Sequence, residues 1–230
     1  MENPDSGPER PPPRHSTPGS GGRHPPANLV EISAPRTTLA LQYLSRLNPP
    51  ADEILVVDNA PSARTRTVTE KFSSVRYLPE PKPGLSRARN TGLRHASGDL
   101  IAWTDDDTLV HPGWIGAIRE AFADPQISAL TGLVLPGSLA TAAQVRFERD
   151  FGGFNRGYRS FTFDRRFFSE MQDRGVPSWM AGAGANMAFR REVFTALGNF
   201  DERLGAGAAG CSEDSEYWYR LFATHDSREG

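Results

Sequence analysis

The chain has 230 residues, 37% hydrophobic, 23% charged and 10% aromatic, enough for one domain of ordinary size with a core of its own. Its 26 Lys and Arg stand against 28 acids, a net charge of -2, which removes any general electrostatic reason to bind nucleic acid or an anionic membrane surface. No run approaches the roughly 18 apolar residues of a transmembrane helix, no signal-peptide core opens the chain, and the single Cys211 excludes an internal disulfide or a zinc-type Cys/His spacing.

A soluble, cytoplasmic, mixed domain is the expectation that remains. Residues 1–28 are dominated by Pro, Gly, Ser and charge, too poor in apolar side chains to offset the entropy of ordering, and read as a disordered tail. Thr37 or Thr38 is placed to cap a helix reaching Leu47, ended by Asn48-Pro49-Pro50. Residues 53–57 (EILVV) read as a buried strand that stops at the turn signal Asp58-Asn59-Ala60-Pro61-Ser62. A polar helix from about Ala63 to Phe72 and a short strand over Val75–Leu78 follow. Pro79, Pro81 and Pro83 keep the chain extended up to Gly84, where a helix to about His95 begins. Leu100–Trp103 is the next strand, Pro112 starts a helix to Phe122, and Ile127–Leu135 reads as strand. This alternation predicts a mostly parallel sheet with helices on both faces.

In open parallel sheets, ligands sit beyond the carboxyl ends of the strands. Two predicted strands end in carboxylates: Val57 runs into Asp58, and Trp103 runs through Thr104 into Asp105-Asp106-Asp107. They should share one edge of the sheet. Three consecutive aspartates repel one another, and a divalent cation with a taste for hard oxygen relieves that repulsion and can bridge to a diphosphate. Alternation in an extended segment lets Asp105 and Asp107 share one ligand while Asp106 faces elsewhere; the plain alternative is an acidic turn. Asp58 either caps its turn or accepts a hydrogen bond from a ligand such as a base N–H.

Three further stretches carry chemistry. Gly84-Leu-Ser-Arg-Ala-Arg-Asn90 enters a helix with polar and cationic groups suited to an anionic or nucleotide ligand, or else to a solvated helix face. Trp179–Phe189 (WMAGAGANMAF) mixes glycines with apolar residues and one Asn, and reads either as a close backbone approach to a ligand or as a packed strand. Gly205–Asp214 (GAGAAGCSED) delivers two adjacent carboxylates to the start of an aromatic helix, where one can act as general base on a hydroxyl. The alternative there is capping, with Ser212 as N-cap and acids in the first turn favoured by the helix dipole.

Taken together, the segments ILVVDNAPS, PGLSRARNTGL, GDLIAWTDDDTLVHPGW, GAGANMAFRR with GNFDERLGAG, and SEDSEYWYRL resemble, in order, the inverting family 2 glycosyltransferases of GT-A fold. The likeness covers roughly residues 36–222. It implies an α/β, Rossmann-like sheet with a nucleotide-sugar half over about 29–135 and an acceptor half over about 136–230. By position, the resemblance implies that Asp58 contacts the base of a nucleotide-diphospho-sugar donor, with Asn59 beside it. It assigns Ser86, Arg89, Asn90 and Asp106 to the donor site, and Asp105 and Asp107 to Mg²⁺ or Mn²⁺. Gly184, Asn186 and Trp179 fall on the acceptor side, Asp214 matches the catalytic base, and Glu213 helps place the acceptor. The acceptor is a sugar, a lipid or a small molecule, and the expected location is the cytoplasm, including the inner face of a membrane.

The sequence departs from the family pattern at both ends. Family members open with a hydrophobic strand and polar loop; here Asn28–Pro35 matches, Glu31 interrupts the run, and a distorted or absent strand is expected. After the Glu-Asp helix the family continues with a strand and a metal-completing histidine, whereas His225 lies too close to the helix for that role. A truncated copy is the resulting expectation. Two alternatives stand beside the active enzyme: a degenerate member that binds nucleotide or serves as an interaction module, and a nucleotidyltransferase, which would need a Gly-rich phosphate loop absent here. The segment 138–177, rich in Phe, Tyr and Arg, suits an acceptor cleft, or equally a surface for lipid head groups or another protein.

Overall fold

A computed structural model describes residues 27–30 and 37–226. The expected tail lies outside the described residues up to Pro26, but Ala27 and Asn28 belong instead to the first strand. That strand, β1 (Ala27–Val30), is followed by α1 (Thr37–Leu44), β2 (Glu53–Asp58), α2 (Ala63–Thr69) and β3 (Val75–Pro79). Next come α3 (Leu85–His95), β4 (Leu100–Thr104), α4 (Trp114–Ala121), β5 (Ala129–Thr131) and α5 (Ala142–Asp150). The remainder comprises α6 (Arg165–Met171), β6 (Asn186–Arg190), α7 (Arg191–Leu197) and α8 (Glu213–Asp226), with short 3₁₀ turns between α5 and β6.

The six strands form one sheet in the order β3-β2-β1-β4-β6-β5. The first four are mutually parallel, and β6 runs antiparallel to both β4 and β5. β1 is central: Leu29 stands opposite Ile54 on one side and Ala102 on the other. The expectation of a distorted or absent first strand is corrected. The ladder needs only the short run that ends at Val30, before Glu31, which lies outside the described residues.

Side-chain alternation sorts the sheet into two faces. Leu55, Val57, Ile101, Trp103, Met187 and Phe189 point to one core, covered by α3, α7 and α8. Ile54, Val56, Leu100, Ala102 and Ala188 point to the other, covered by α1 and α4 through Leu41, Leu44, Ile115 and Ile118. Helices on both faces are thus what the alternation required. Trp103 anchors the first core, meeting the rings of Phe189, Phe194 and Phe200 at 5.5–5.8 Å between centroids.

Several elements are shorter than their sequence patterns. α1 stops at Leu44 because the next N–H groups reach back three residues, Arg46 to Tyr43 and Leu47 to Leu44, a tightened last turn before Pro49. α2 ends in the same way, with Phe72 N donating to the Thr69 carbonyl. The strand expected over Ile127–Leu135 shrinks to Ala129–Thr131, since it lies at the sheet edge and has only β6 to pair with. Over Trp179–Phe189 only Asn186 onward is strand, and Ser178–Ala181 forms a 3₁₀ turn.

Strand direction then places the chemistry. β2 and β4 both end at one edge, with Asp58 closing β2 and Asp105 following β4. β6, being antiparallel, begins there, so Asn186 faces Thr104 across the ladder. β5 ends there, with Thr131 opposite Met187. The long segment 132–185 therefore leaves from and returns to the same edge.

Candidate functional site

Carboxylates gather at this edge. Asp105 is half-buried just past the end of β4, Asp107 is exposed, and Asp214 is half-buried in the first turn of α8 beside buried Glu213. Burial pushes the Asp105 carboxyl above its ordinary range; Arg89 pulls it back, while Asp107, Glu213 and Asp214 push it further. Residues about a hundred positions apart in the chain thus share one electrostatic environment. The cluster is acidic, with a single guanidinium at its centre.

That guanidinium is almost wholly enclosed. The Arg89 side chain is 2% exposed and its Nη1 donates to Glu213 Oε1 at 2.9 Å, Glu213 itself being 9% exposed. It also lies over the Phe200 ring at 5.4 Å. Gly184 is glycine for a reason visible here: a Cβ would sit 2.5 Å from Arg89 Nη2 and 3.3 Å from Asp214 Oδ2. With no side chain in the way, Gly184 N–H donates to Asp214 Oδ2 at 3.1 Å, while Ser215 N–H donates to Oδ1 at 2.7 Å. Both hydrogen bonds fix the direction of the carboxylate.

The glycine loop before α8 is held rather than free. Leu85 N–H donates to the Ala206 carbonyl at 2.9 Å and Ser86 Oγ to the Leu204 carbonyl at 3.0 Å. Gly207, at φ +81°, passes so close to Gly84 that a Cβ would meet its backbone nitrogen at 3.0 Å. The start of α3, read as a seat for an anion, is therefore covered by this loop. Asn90 is committed in the same manner, bonding both N–H and C=O of Phe200 at 2.9 and 3.0 Å. Of the stretch assigned to the donor, Ser86 and Asn90 brace the 200–210 loop, and Arg89 alone reaches the acidic cluster. Capping of α8 by Ser212 is corrected too: Ser212 has φ +74° and its hydroxyl turns to Cys211 Sγ.

Asp58 is 1% exposed, and its oxygens accept from Ala60 N, Ser62 N and the Tyr77 hydroxyl at 3.0–3.3 Å. Its carboxylate organises the β2–α2 turn, the capping alternative of the sequence. Asn59 ties that turn to the proline segment, donating to the Lys82 carbonyl at 2.8 Å and accepting from Gly84 N–H at 2.7 Å. Burial, with the hydrogen bond to Asp58 and its charge, pushes the Tyr77 hydroxyl from 10.0 up to about 12. A folded-state value above the unfolded one stabilises below pH 10 and is lost as pH rises toward 12. Urea unfolding between pH 8 and 11, on the order of the accessible alkaline range, should show a shallower loss of stability in Tyr77→Phe than in the parent; equal slopes would contradict the coupling.

On the acceptor side, Asn186 is used structurally, accepting from Trp114 Nε1 at 2.9 Å and donating to the Leu133 carbonyl at 3.0 Å. Gly132 must be small to admit it, since a Cβ there would lie 2.3 Å from Asn186 Nδ2. Trp179, 66% exposed on the 3₁₀ turn before Gly182, presents its ring to solvent. Asp106 is half-buried in the turn between its two neighbours. The clamps by Asn59, Asn90 and Trp114 escaped sequence reasoning.

Among the described residues, no three His, Cys, Asp or Glu groups stand together as a ready-made metal cage. The donor set nonetheless fits a hard cation shared with phosphate oxygens, which takes one or two carboxylates and fills its other positions with diphosphate and water. Half-buried Asp105, set among like charges, and exposed Asp107 are the carboxylates available for it.

A family model described as glycosyl transferase family 2 matches residues 36–198. Glucosyl-dolichyl phosphate glucuronosyltransferase of Haloferax volcanii is 26% identical over 167 residues, covering 70% of this chain and 50% of the relative. Glycosyltransferase AglE of the same organism is 25% identical over 182 residues, 76% of this chain and 54% of the relative. The chain thus spans about half the length of the curated relatives it matches. Among solved structures, a mannosyltransferase from Pyrobaculum calidifontis, in complex with GDP-Man and Mn²⁺, superposes with TM-score 0.57 at 22% identity, over 84% of this chain and 51% of that one. Glucosyl-3-phosphoglycerate synthase from Mycobacterium tuberculosis, with Mg²⁺ and UDP, gives 0.55 at 16% identity over 89% and 66%. These likenesses show that the fold is GT-A.

Proposed function

The chain belongs to glycosyl transferase family 2, and on that premise we propose that it moves a sugar from a nucleotide-diphospho-sugar to an acceptor hydroxyl with inversion. The observation that supports this reading best is the convergence of Asp105, Asp107, Glu213 and Asp214 around Arg89 at the carboxyl edge of the sheet. Asp214 is the general base. It takes the proton of the acceptor hydroxyl as that oxygen bonds to the anomeric carbon, while the bond to the diphosphate breaks and its electron pair leaves with the nucleoside diphosphate. The N–H groups of Gly184 and Ser215 keep the Asp214 carboxylate aimed until then. Glu213, paired with Arg89, fixes the start of α8 and so the position of Asp214. Asp105 and Asp107 would hold Mg²⁺ or Mn²⁺, which offsets charge developing on the departing diphosphate.

The nucleotides carried by the solved neighbours, GDP-Man and UDP, give the probes. Asp105→Ala and Asp107→Ala should each weaken Mn²⁺-dependent binding of UDP or GDP by about tenfold or more in titration calorimetry. Unchanged Mn²⁺-dependent affinity in both variants would remove the aspartates from the metal role.

A further inference from the structure

The segment that leaves the sheet edge after β5 carries a surface to which no step proposed above assigns a role. Residues 142–166 (AAQVRFERDFGGFNRGYRSFTFDRR) hold six arginines against three acids, in a chain whose net charge is -2. The same stretch exposes Phe147 at 40%, Phe154 at 47%, Phe161 at 58%, Tyr158 at 71% and Phe151 at 79%. Such rings cost free energy in water, and a monomer rarely displays so many together unless they meet something. α5 buries none of its residues; its shape is held by local chemistry, the reciprocal Thr141–Gln144 capping box, and not by a core. Phe147 and Phe154 meet each other at 5.2 Å and go no deeper.

Arginine interleaved with exposed aromatic rings fits the boundary of an anionic bilayer, where rings enter the headgroup layer and guanidinium groups meet phosphates. We propose that this surface docks the protein on an anionic membrane. Thr131 and Asn186, which bound residues 132–185, both lie at the edge bearing Asp105 and Asp214.

The test is flotation of the whole chain with vesicles of phosphatidylcholine alone and of phosphatidylcholine with phosphatidylglycerol, without donor or metal. Binding to the anionic vesicles that weakens with salt, and falls about tenfold or more in Phe151→Ser/Tyr158→Ser and in Arg146→Glu/Arg159→Glu, is the expected result. These side chains are exposed, so the variants should melt with the parent, which a thermal scan checks. Absence of binding to either vesicle, or binding indifferent to both variants, overturns the proposal. Concentration-dependent self-association that the variants abolish, with no vesicle binding, overturns it in favour of a protein contact. None of these readouts depends on transfer activity, so the proposal and the catalytic reading fail separately.

Discussion

Arg89→Met is expected to lower the free energy of unfolding by about 3–5 kcal/mol, the cost of leaving a buried carboxylate without its partner. Both members of the pair are enclosed, at 2% and 9% side-chain exposure, so neither water nor salt can replace the lost hydrogen bond from Nη1 to Glu213. The effect extends beyond the pair. Arg89 is the cation that opposes Asp107, Glu213 and Asp214 at Asp105, so its removal leaves the acidic edge self-repelling. The sign of the remedy distinguishes this account from simple loss of volume. Arg89→Met/Glu213→Leu should recover most of the stability, since paired apolar replacements remove the charge along with its partner. Urea unfolding of the two variants measures it. A loss below about 1 kcal/mol in Arg89→Met would place the pair among surface ion pairs, against its burial.

Asp214→Asn should leave the fold and donor affinity within a few-fold of the parent while lowering sugar transfer by about 10²–10⁴, the range of a general base. The amide is isosteric, and its one oxygen can still accept an N–H of the pair that now holds the carboxylate, from Gly184 and Ser215. What it cannot do is accept the hydroxyl proton. The measurement is release of nucleoside diphosphate from the donor, read beside calorimetric donor affinity. Retained turnover would exclude Asp214 as base; lost donor affinity would mean that the residue holds the donor instead.

The βα alternation in the sequence was enough to read a mostly parallel sheet with helices on both faces. The apolar runs EILVV and LIAW marked two buried strands, and the carboxylates following them fall at one edge of the sheet, as expected. Extents were read less well, because they depend on partners. β5 is short for want of a second neighbour, and α1 ends early because its last turn tightens ahead of a proline. β1 ran the other way: Glu31 weakened the pattern, yet backbone pairing on both sides sustains Ala27–Val30.

At the site, residue types that suit a ligand equally suit the protein's own backbone. Asp58, Ser86, Asn90 and Asn186 bond to neighbouring loops, and nothing local in the sequence tells which partner a polar side chain will find. Arg89 and Asp214 lie on different helices, joined by the pairing of Arg89 with Glu213 and by the close approach of Gly184 to both. Those contacts are products of the fold, not of spacing.

The central claim is that this acidic edge binds a nucleoside diphosphate through a divalent cation. Titration calorimetry of the unmodified chain with UDP and with GDP, with and without Mn²⁺, tests it most directly. Binding of at least one of the two that requires the metal is the predicted result. A folded chain that binds neither nucleotide with Mn²⁺ present would contradict the account and identify a family member whose aspartates no longer serve transfer.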